Sequence, residues 1–91
     1  MPSTARSPRW TAAEMDAYER ARTLLNAVIA AYSGRIGEAP SAQDARALRE
    51  KRAPLLAERD ALTADSRERI AEILRDMPTE LATIRNGSAG E

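Results

Sequence analysis

"ARALREKRAPLLAERDAL" (Ala45 to Leu62) is the stretch of the sequence that decides the fold. Apart from Pro54, its composition is typical of an α-helix. Leu48, Leu55 and Leu62 recur every seven residues through the proline, and this heptad spacing places them on one helix face. A proline inside a helix removes one backbone hydrogen bond and costs ~3 kcal/mol or more. Because the spacing is undisturbed, we expect one helix kinked at Pro54, with two separate helices as the alternative.

Two arginines, Arg52 and Arg59, lie among these leucines in the predicted helix of 42–62. One interpretation places them at the margin of the apolar seam, with packed stems and guanidinium groups in water. The other places them opposite acidic residues of a second chain, where they would select the partner. A third interpretation, an anion site, lacks an accompanying Gly-rich loop or a second basic cluster.

The first helix begins with an explicit signal, "WTAAEM". Thr11 and Glu14 have the spacing of a capping box, in which each side chain accepts a hydrogen bond from the other's backbone N–H. We expect the helix to span about 12–36. Gly34 and Gly37 offer left-handed caps at its end.

The second half of this helix carries small or apolar residues on two sides. One arc is apolar. The opposite side, where a surface helix of a monomer normally shows charges, is covered by Leu24, Ala27, Ala30 and Ala31. The charged residues of the helix are concentrated in its first half. The sequence therefore predicts that this part of the helix is covered on two sides.

A third helix is expected at 64–86, kinked or broken at Pro78, with a heptad-spaced stripe that survives the proline. Thr63, or Asp65 together with Glu68, is the expected N-cap. Residues 1–9 are expected to be a disordered tail and 87–91 a flexible one, because neither has residues to bury. The stripe of the third helix consists of Ile70, Leu74, Met77, Leu81 and Ile84.

These patterns predict an all-α fold, an up-down-up three-helix bundle of antiparallel coiled-coil type formed by residues 10–86. Ninety-one residues with no phenylalanine and much alanine build a thin core. Small domains of this kind usually need disulfides, a metal or association to become stable. The chain has no cysteine and no histidine, which excludes disulfides and ordinary zinc sites. We therefore expect the bundle to be completed by oligomerisation.

Charge and hydropathy limit the classes of function that the chain can have. Fourteen basic residues balance fourteen acidic ones, and thirteen of the basic residues are arginine, a bias that GC-rich coding produces and that points to a bacterial source. A neutral sum gives no long-range attraction to nucleic acid or anionic lipid. The longest apolar run, "LLNAVIAAY", is far shorter than the roughly 20 residues that span a bilayer. The N-terminus lacks a signal-peptide core, so we expect a cytoplasmic protein.

No nucleophile–base pair, phosphate-binding loop or metal-ligand constellation is present, so we expect neither catalytic residues nor a cofactor. The function predicted is that of a non-catalytic protein–protein interaction module, such as a small adaptor, antidote or assembly protein. A nucleic-acid-associated accessory protein or small regulator is the alternative. The expected partner is a second copy of the chain or an unidentified protein. The predicted interface residues are Leu24, Ala27, Val28, Ala31, Leu48, Arg52, Leu55, Arg59 and Leu62.

Overall fold

The computed structural model describes residues 10–86, which form three α-helices and no strand. Helix α1 spans Ala12–Glu38, α2 spans Ala42–Ala61 and α3 spans Arg67–Asn86. The prediction of an all-α, three-helix fold is confirmed. The two predicted tails, 1–9 and 87–91, lie outside the described residues.

Helix α1 begins at the predicted capping box. The Glu14 N–H donates to Thr11 Oγ1 at 3.0 Å, and the Thr11 N–H donates to Glu14 Oε1 at 2.9 Å. Two of the four backbone N–H groups that would lack partners around the helix start are thereby satisfied.

The end of α1 differs from the prediction, because neither glycine caps the helix. The helix continues through Gly34 and Gly37 to Glu38, and Ala39 then adopts an extended conformation with φ −61° and ψ 134°. Pro40 follows, and a proline disfavours the helical conformation of the residue before it. The proline therefore sets the end of α1.

Helices α2 and α3 each continue through their internal proline. The prediction that α2 is one continuous helix through Pro54 is confirmed, and the alternative of two separate helices is wrong. The kink at Pro54 stays a prediction. Pro54 and Pro78 are both exposed. Water can therefore hydrogen-bond the backbone carbonyls that lose their helical partners at these two positions.

The start of α3 was predicted too early, because residues 63–66 form a turn. The Thr63 N–H donates to Ser66 Oγ at 3.2 Å, and the Asp65 N–H donates to Thr63 Oγ1 at 3.2 Å. Hydroxyl groups that bond the backbone in this way compete with helix formation. Ala64, in the middle of the turn, is only 4% exposed. The helix begins after this turn, at Arg67.

Helix α1 is the centre of the bundle, because α2 and α3 both pack against it and not against each other's backbone. Helices α1 and α3 run parallel to each other. Helix α2, which connects them in sequence, runs antiparallel to α1. The core consists of two clusters along α1. The first contains Ala21, Leu25, Leu62, Ile70 and Ile73, and the second contains Val28, Tyr32 and Ile84.

Helix α2 contributes least to this core. Ala45 is its only buried residue, whereas Leu48 and Leu55 are half-buried at the edges of the clusters. Polar contacts to α1 and α3, made by Arg52, Arg59 and Glu58, accompany this limited apolar packing.

Candidate interaction surface

The three heptad-spaced leucines, Leu48 and Leu55 of α2 and Leu62 at its C-cap, face the other two helices of the same chain. Leu62 is 6% exposed and belongs to the first core cluster. Leu55 packs against both clusters, and Leu48 packs against the second. The structure thus accounts for these three predicted interface residues by packing within one chain.

The two arginines of this stripe bridge α2 to α1. Arg52 Nη1 donates to Ser33 Oγ at 2.9 Å, and Arg59 Nη1 donates to Asn26 Oδ1 at 3.3 Å. Both acceptors are neutral groups of α1. The Nε atom of Arg52 is buried and has no hydrogen-bond partner. The arginines therefore fix where α2 lies along α1, as polar groups in helix seams commonly do.

The predicted interface residues of α1 divide into two groups. Val28 is 0% exposed and lies in the second core cluster. Leu24, Ala27 and Ala31 are half-buried. Leu24 packs at the edge of the first cluster and Ala31 at the edge of the second. Of the predicted interface residues of α1, these last three leave apolar surface on the outside of the bundle.

We define the outer face of α1 as these three residues and their exposed neighbours. It carries no charge over 12 consecutive positions of the chain, 23–34. The surface is also open at Gly34, because a Cβ atom added to this glycine would meet no other atom within 4 Å. The outer face consists of Thr23, Leu24, Ala27, Ala30, Ala31 and Gly34.

A cleft of about 500 Å³ between α1 and α3 adjoins the outer face. Leu24 lines it from α1, and Leu74 and Pro78 line it from α3. Arg20 and Asp16, an exposed ion pair at 3.5 Å, border it. The apolar part of the surface thus extends from α1 onto the flank of α3.

Long-range contacts hold the N-terminal end of the α1–α3 pair. Trp10 Nε1 donates to Asp65 Oδ1 at 2.7 Å, and Arg67 Nε donates to Glu14 Oε2 at 2.9 Å. The pKa of the Glu14 carboxyl lies below its usual value. The hydrogen bond from the Thr11 N–H is the larger cause and the bond from Arg67 is the next, since both stabilise the ionised carboxylate. Glu14 therefore serves the helix cap and the packing of α3 at once. The local sequence shows only the first of these roles.

The C-terminal end of the pair is held by Tyr32 and Arg35. The Tyr32 hydroxyl donates to Glu80 Oε2 at 2.6 Å, and burial together with this carboxylate raises the pKa of Tyr32 to about 12. Arg35 donates to the Ile84 and Arg85 carbonyls at 3.0 and 3.3 Å. Because these carbonyls lie in the last turn of α3, the guanidinium satisfies groups without helical partners and complements the helix dipole.

One ion-pair cluster joins α2 to α3. Arg69 of α3 donates two hydrogen bonds to Glu58 of α2, one of them at 2.7 Å, and a third to Glu72 at 2.9 Å. The bond from Arg69 holds the pKa of the Glu58 carboxyl below its usual value. This contact bridges two helices whose backbones do not meet.

Within residues 10–86, no three histidine, cysteine or carboxylate side chains lie close enough to bind a metal ion. None of the three described helices has a segment long and apolar enough to cross a bilayer. Comparison of the chain with protein-family models, curated proteins and solved structures gives no match in any of the three.

Proposed function

We propose that the protein is a non-catalytic protein–protein interaction module that binds its partner through the outer face of α1. The observation that carries the proposal is the uncharged surface of 23–34 on the outside of the bundle. A helix at a protein surface normally presents charged residues to water. Here α2 and α3 cover the other sides of α1, and this side remains uncovered in the single chain.

The residue types of this face suit contact with another protein. Alanine and glycine lose no side-chain entropy when they become buried, and burial of an uncharged face needs no desolvation of charge. Leu24, Leu74 and Pro78 add apolar surface that contact with a partner would remove from water. Ala27 and Ala31, one turn apart, would let a partner helix approach closely.

The distribution of arginine supports a protein partner over nucleic acid. A nucleic-acid-binding surface needs basic side chains that are available to phosphates. Among the described residues, six arginines of the three helices are paired with carboxylates, which makes them less available to phosphates. These pairs are Arg20–Asp16, Arg35–Glu38, Arg59–Asp60, Arg67–Glu14, Arg69–Glu58 and Arg75–Asp76.

The test is a comparison of two exposed alanines. Ala30 lies on the outer face and Ala57 on the solvent side of α2, and both are exposed, so glutamate at either position leaves the core intact. The tagged protein would be isolated from extracts of its source cells and co-isolated chains quantified by mass spectrometry. We expect Ala30→Glu to abolish a stoichiometric complex, with itself or with another protein, that Ala57→Glu retains. Equal recovery with both variants would contradict the proposal.

A further inference from the structure

Six residues form one row along the outside of α1, with spacings of 4, 3, 4, 3 and 4 residues. This heptad-type spacing keeps a row on one side of a helix. Its ends, Arg20 and Glu38, are 18 residues apart, which is five helical turns, so their side chains leave the helix in the same direction. The row consists of Arg20, Leu24, Ala27, Ala31, Gly34 and Glu38.

The row is symmetric about its midpoint in spacing and complementary in chemistry. When a second copy of α1 lies antiparallel with the two-fold axis between Ala27 and Ala31, each of these two alanines faces the other in the partner. Leu24 then lies opposite Gly34, where the surface is open for lack of a side chain. The largest side chain of the row thus meets the smallest, and the two alanines allow close approach at the centre.

Charge follows the same symmetry. In the antiparallel arrangement Arg20 of each copy lies opposite Glu38 of the other, so two opposite-charge pairs close the ends of the contact. A parallel arrangement would instead place like charges together at both ends. The side chains of Arg20 and Glu38 are 65% and 73% exposed. Their contacts within the chain, to Asp16 and Arg35, are both at 3.5 Å, and such exposed pairs contribute little.

We infer that the partner of the outer face is a second copy of this chain, bound as an antiparallel α1–α1 pair with reciprocal Arg20–Glu38 contacts. This inference rests on the function proposed above and names its partner. The arrangement is isologous, with the same patch used on both subunits, as expected for a two-fold dimer. It also lays the C-terminal end of the partner's α1, from Gly34 to Glu38, beside the cleft that Leu24 and Leu74 line.

The test is an exchange of charges between two variants. Arg20→Glu alone, and Glu38→Arg alone, place like charges at both ends of their own homodimers, so each should raise the dimer dissociation constant about tenfold or more. An equimolar mixture of the two restores two opposite-charge pairs and should form a heterodimer. The double variant Arg20→Glu/Glu38→Arg should dimerise as the original chain does. Sedimentation equilibrium measures all four samples, and circular dichroism melting verifies that each variant is folded.

A matched control uses Arg46→Glu and Glu50→Arg, two exposed residues of α2 that carry the same changes of charge. We expect both control variants to dimerise as the original chain does, and their mixture to show no preference for heterodimers. A control mixture that behaves like the Arg20/Glu38 mixture would assign the effect to net charge and overturn the inference.

Two other results would also overturn it. A dimer indifferent to all the reversals would refute the antiparallel Arg20–Glu38 arrangement, and a chain that stays monomeric at high micromolar concentration would refute self-association. In both cases the recovery of a complex sensitive to Ala30→Glu decides separately whether the proposed interaction function stands.

Discussion

At the scale of single residues, Arg52 shows most clearly how this small bundle uses polar groups in its seams. Its guanidinium lies between α2 and α1, donates to Ser33 Oγ at 2.9 Å and buries an Nε atom that has no partner. A buried donor without an acceptor costs about 1–3 kcal/mol. The position thus combines a contact that fixes the α2–α1 alignment with a penalty that lowers stability.

We expect Arg52→Met to leave the free energy of unfolding unchanged or raise it by about 1 kcal/mol, because methionine keeps the packed stem and removes the buried donor. Ser33 Oγ retains its bond to the Ile29 carbonyl. Arg49→Met, at an exposed position of the same helix, is the control and should change stability by less than ~0.5 kcal/mol. Urea unfolding measures both. A loss of more than ~1 kcal/mol at Arg52 would show that its hydrogen bond outweighs the burial of charge.

Tyr32 gives the fold a dependence on alkaline pH. Its pKa is about 12 in the folded chain and 10.0 as the ordinary value, so the unfolded chain loses this proton first. The stabilisation by the neutral phenol is complete below pH 10 and is lost as the pH rises from 10 to 12. Tyr32→Phe should lower stability near pH 7 by ~1 kcal/mol and weaken the decline above pH 10. Denaturant unfolding across this range measures it, with Tyr18→Phe as the control; an unchanged alkaline decline in Tyr32→Phe would refute the assignment.

At the scale of helices, the sequence predicted best what local contacts decide. The start of α1 depends on Thr11 and Glu14, three residues apart, and it was predicted correctly. The end of α1 was missed because Pro40 restricts Ala39 more strongly than the glycines attract a cap. The start of α3 was missed because the hydroxyl groups of the 63–66 turn bond the backbone instead of extending the helix.

The heptad pattern of α2 predicted the packing face but could not predict what it packs against. Periodicity shows which residues share a side of a helix, and a stripe of leucine and arginine can face its own chain or a second one. Arg52 and Arg59 find their acceptors 19 and 33 residues away along the chain. No local sequence pattern predicts contacts between residues so far apart, so the two acceptors could not be predicted from the sequence.

Replacement of Pro54 tests how much the stability of the fold depends on the proline inside α2. The ring is on the solvent side of the helix, so alanine there can restore the backbone hydrogen bond to the Glu50 carbonyl without touching the core. We expect Pro54→Ala to raise the free energy of unfolding by about 1 kcal/mol, less than the ~3 kcal/mol cost of an unrelieved proline, because the fold already accommodates the ring. Thermal melting followed by circular dichroism measures the change. A lower melting temperature would show that the packing of α2 on α1 depends on the proline.

At the scale of the whole molecule, the central position of α1 controls what the surface can do. Two helices cover it on two sides, and its remaining side is uncharged over 23–34. The charged groups lie elsewhere and are extensively paired. The overall charge is zero, so the molecule has no net long-range field to draw a charged partner.

We therefore expect no measurable binding to duplex DNA below micromolar concentration at physiological salt. Fluorescence anisotropy with labelled duplexes of mixed sequence, at two salt concentrations, is the measurement. The control is a variant with added basic charge, Glu50→Lys/Asp60→Lys, at two exposed positions of α2, which should bind more tightly and with a stronger dependence on salt. Sub-micromolar binding by the original chain that weakens steeply with salt would favour the regulator alternative.

The side-chain contacts that join the ends of α1 and α3 have a consequence for synthesis on the ribosome. The two residues of each contact are far apart in sequence: 48 residues for Tyr32–Glu80, 49 for Arg35–Ile84, 53 for Glu14–Arg67 and 55 for Trp10–Asp65. Helix α1 can pair with α2 while the chain is still growing, but the side that α3 will cover stays exposed until α3 itself emerges. Contacts of such long sequence separation form late, since closure of the long loop must come first. A nascent chain stalled after α2 would therefore present the buried side of α1, with Leu25 and Val28, to chaperones and to neighbouring nascent chains.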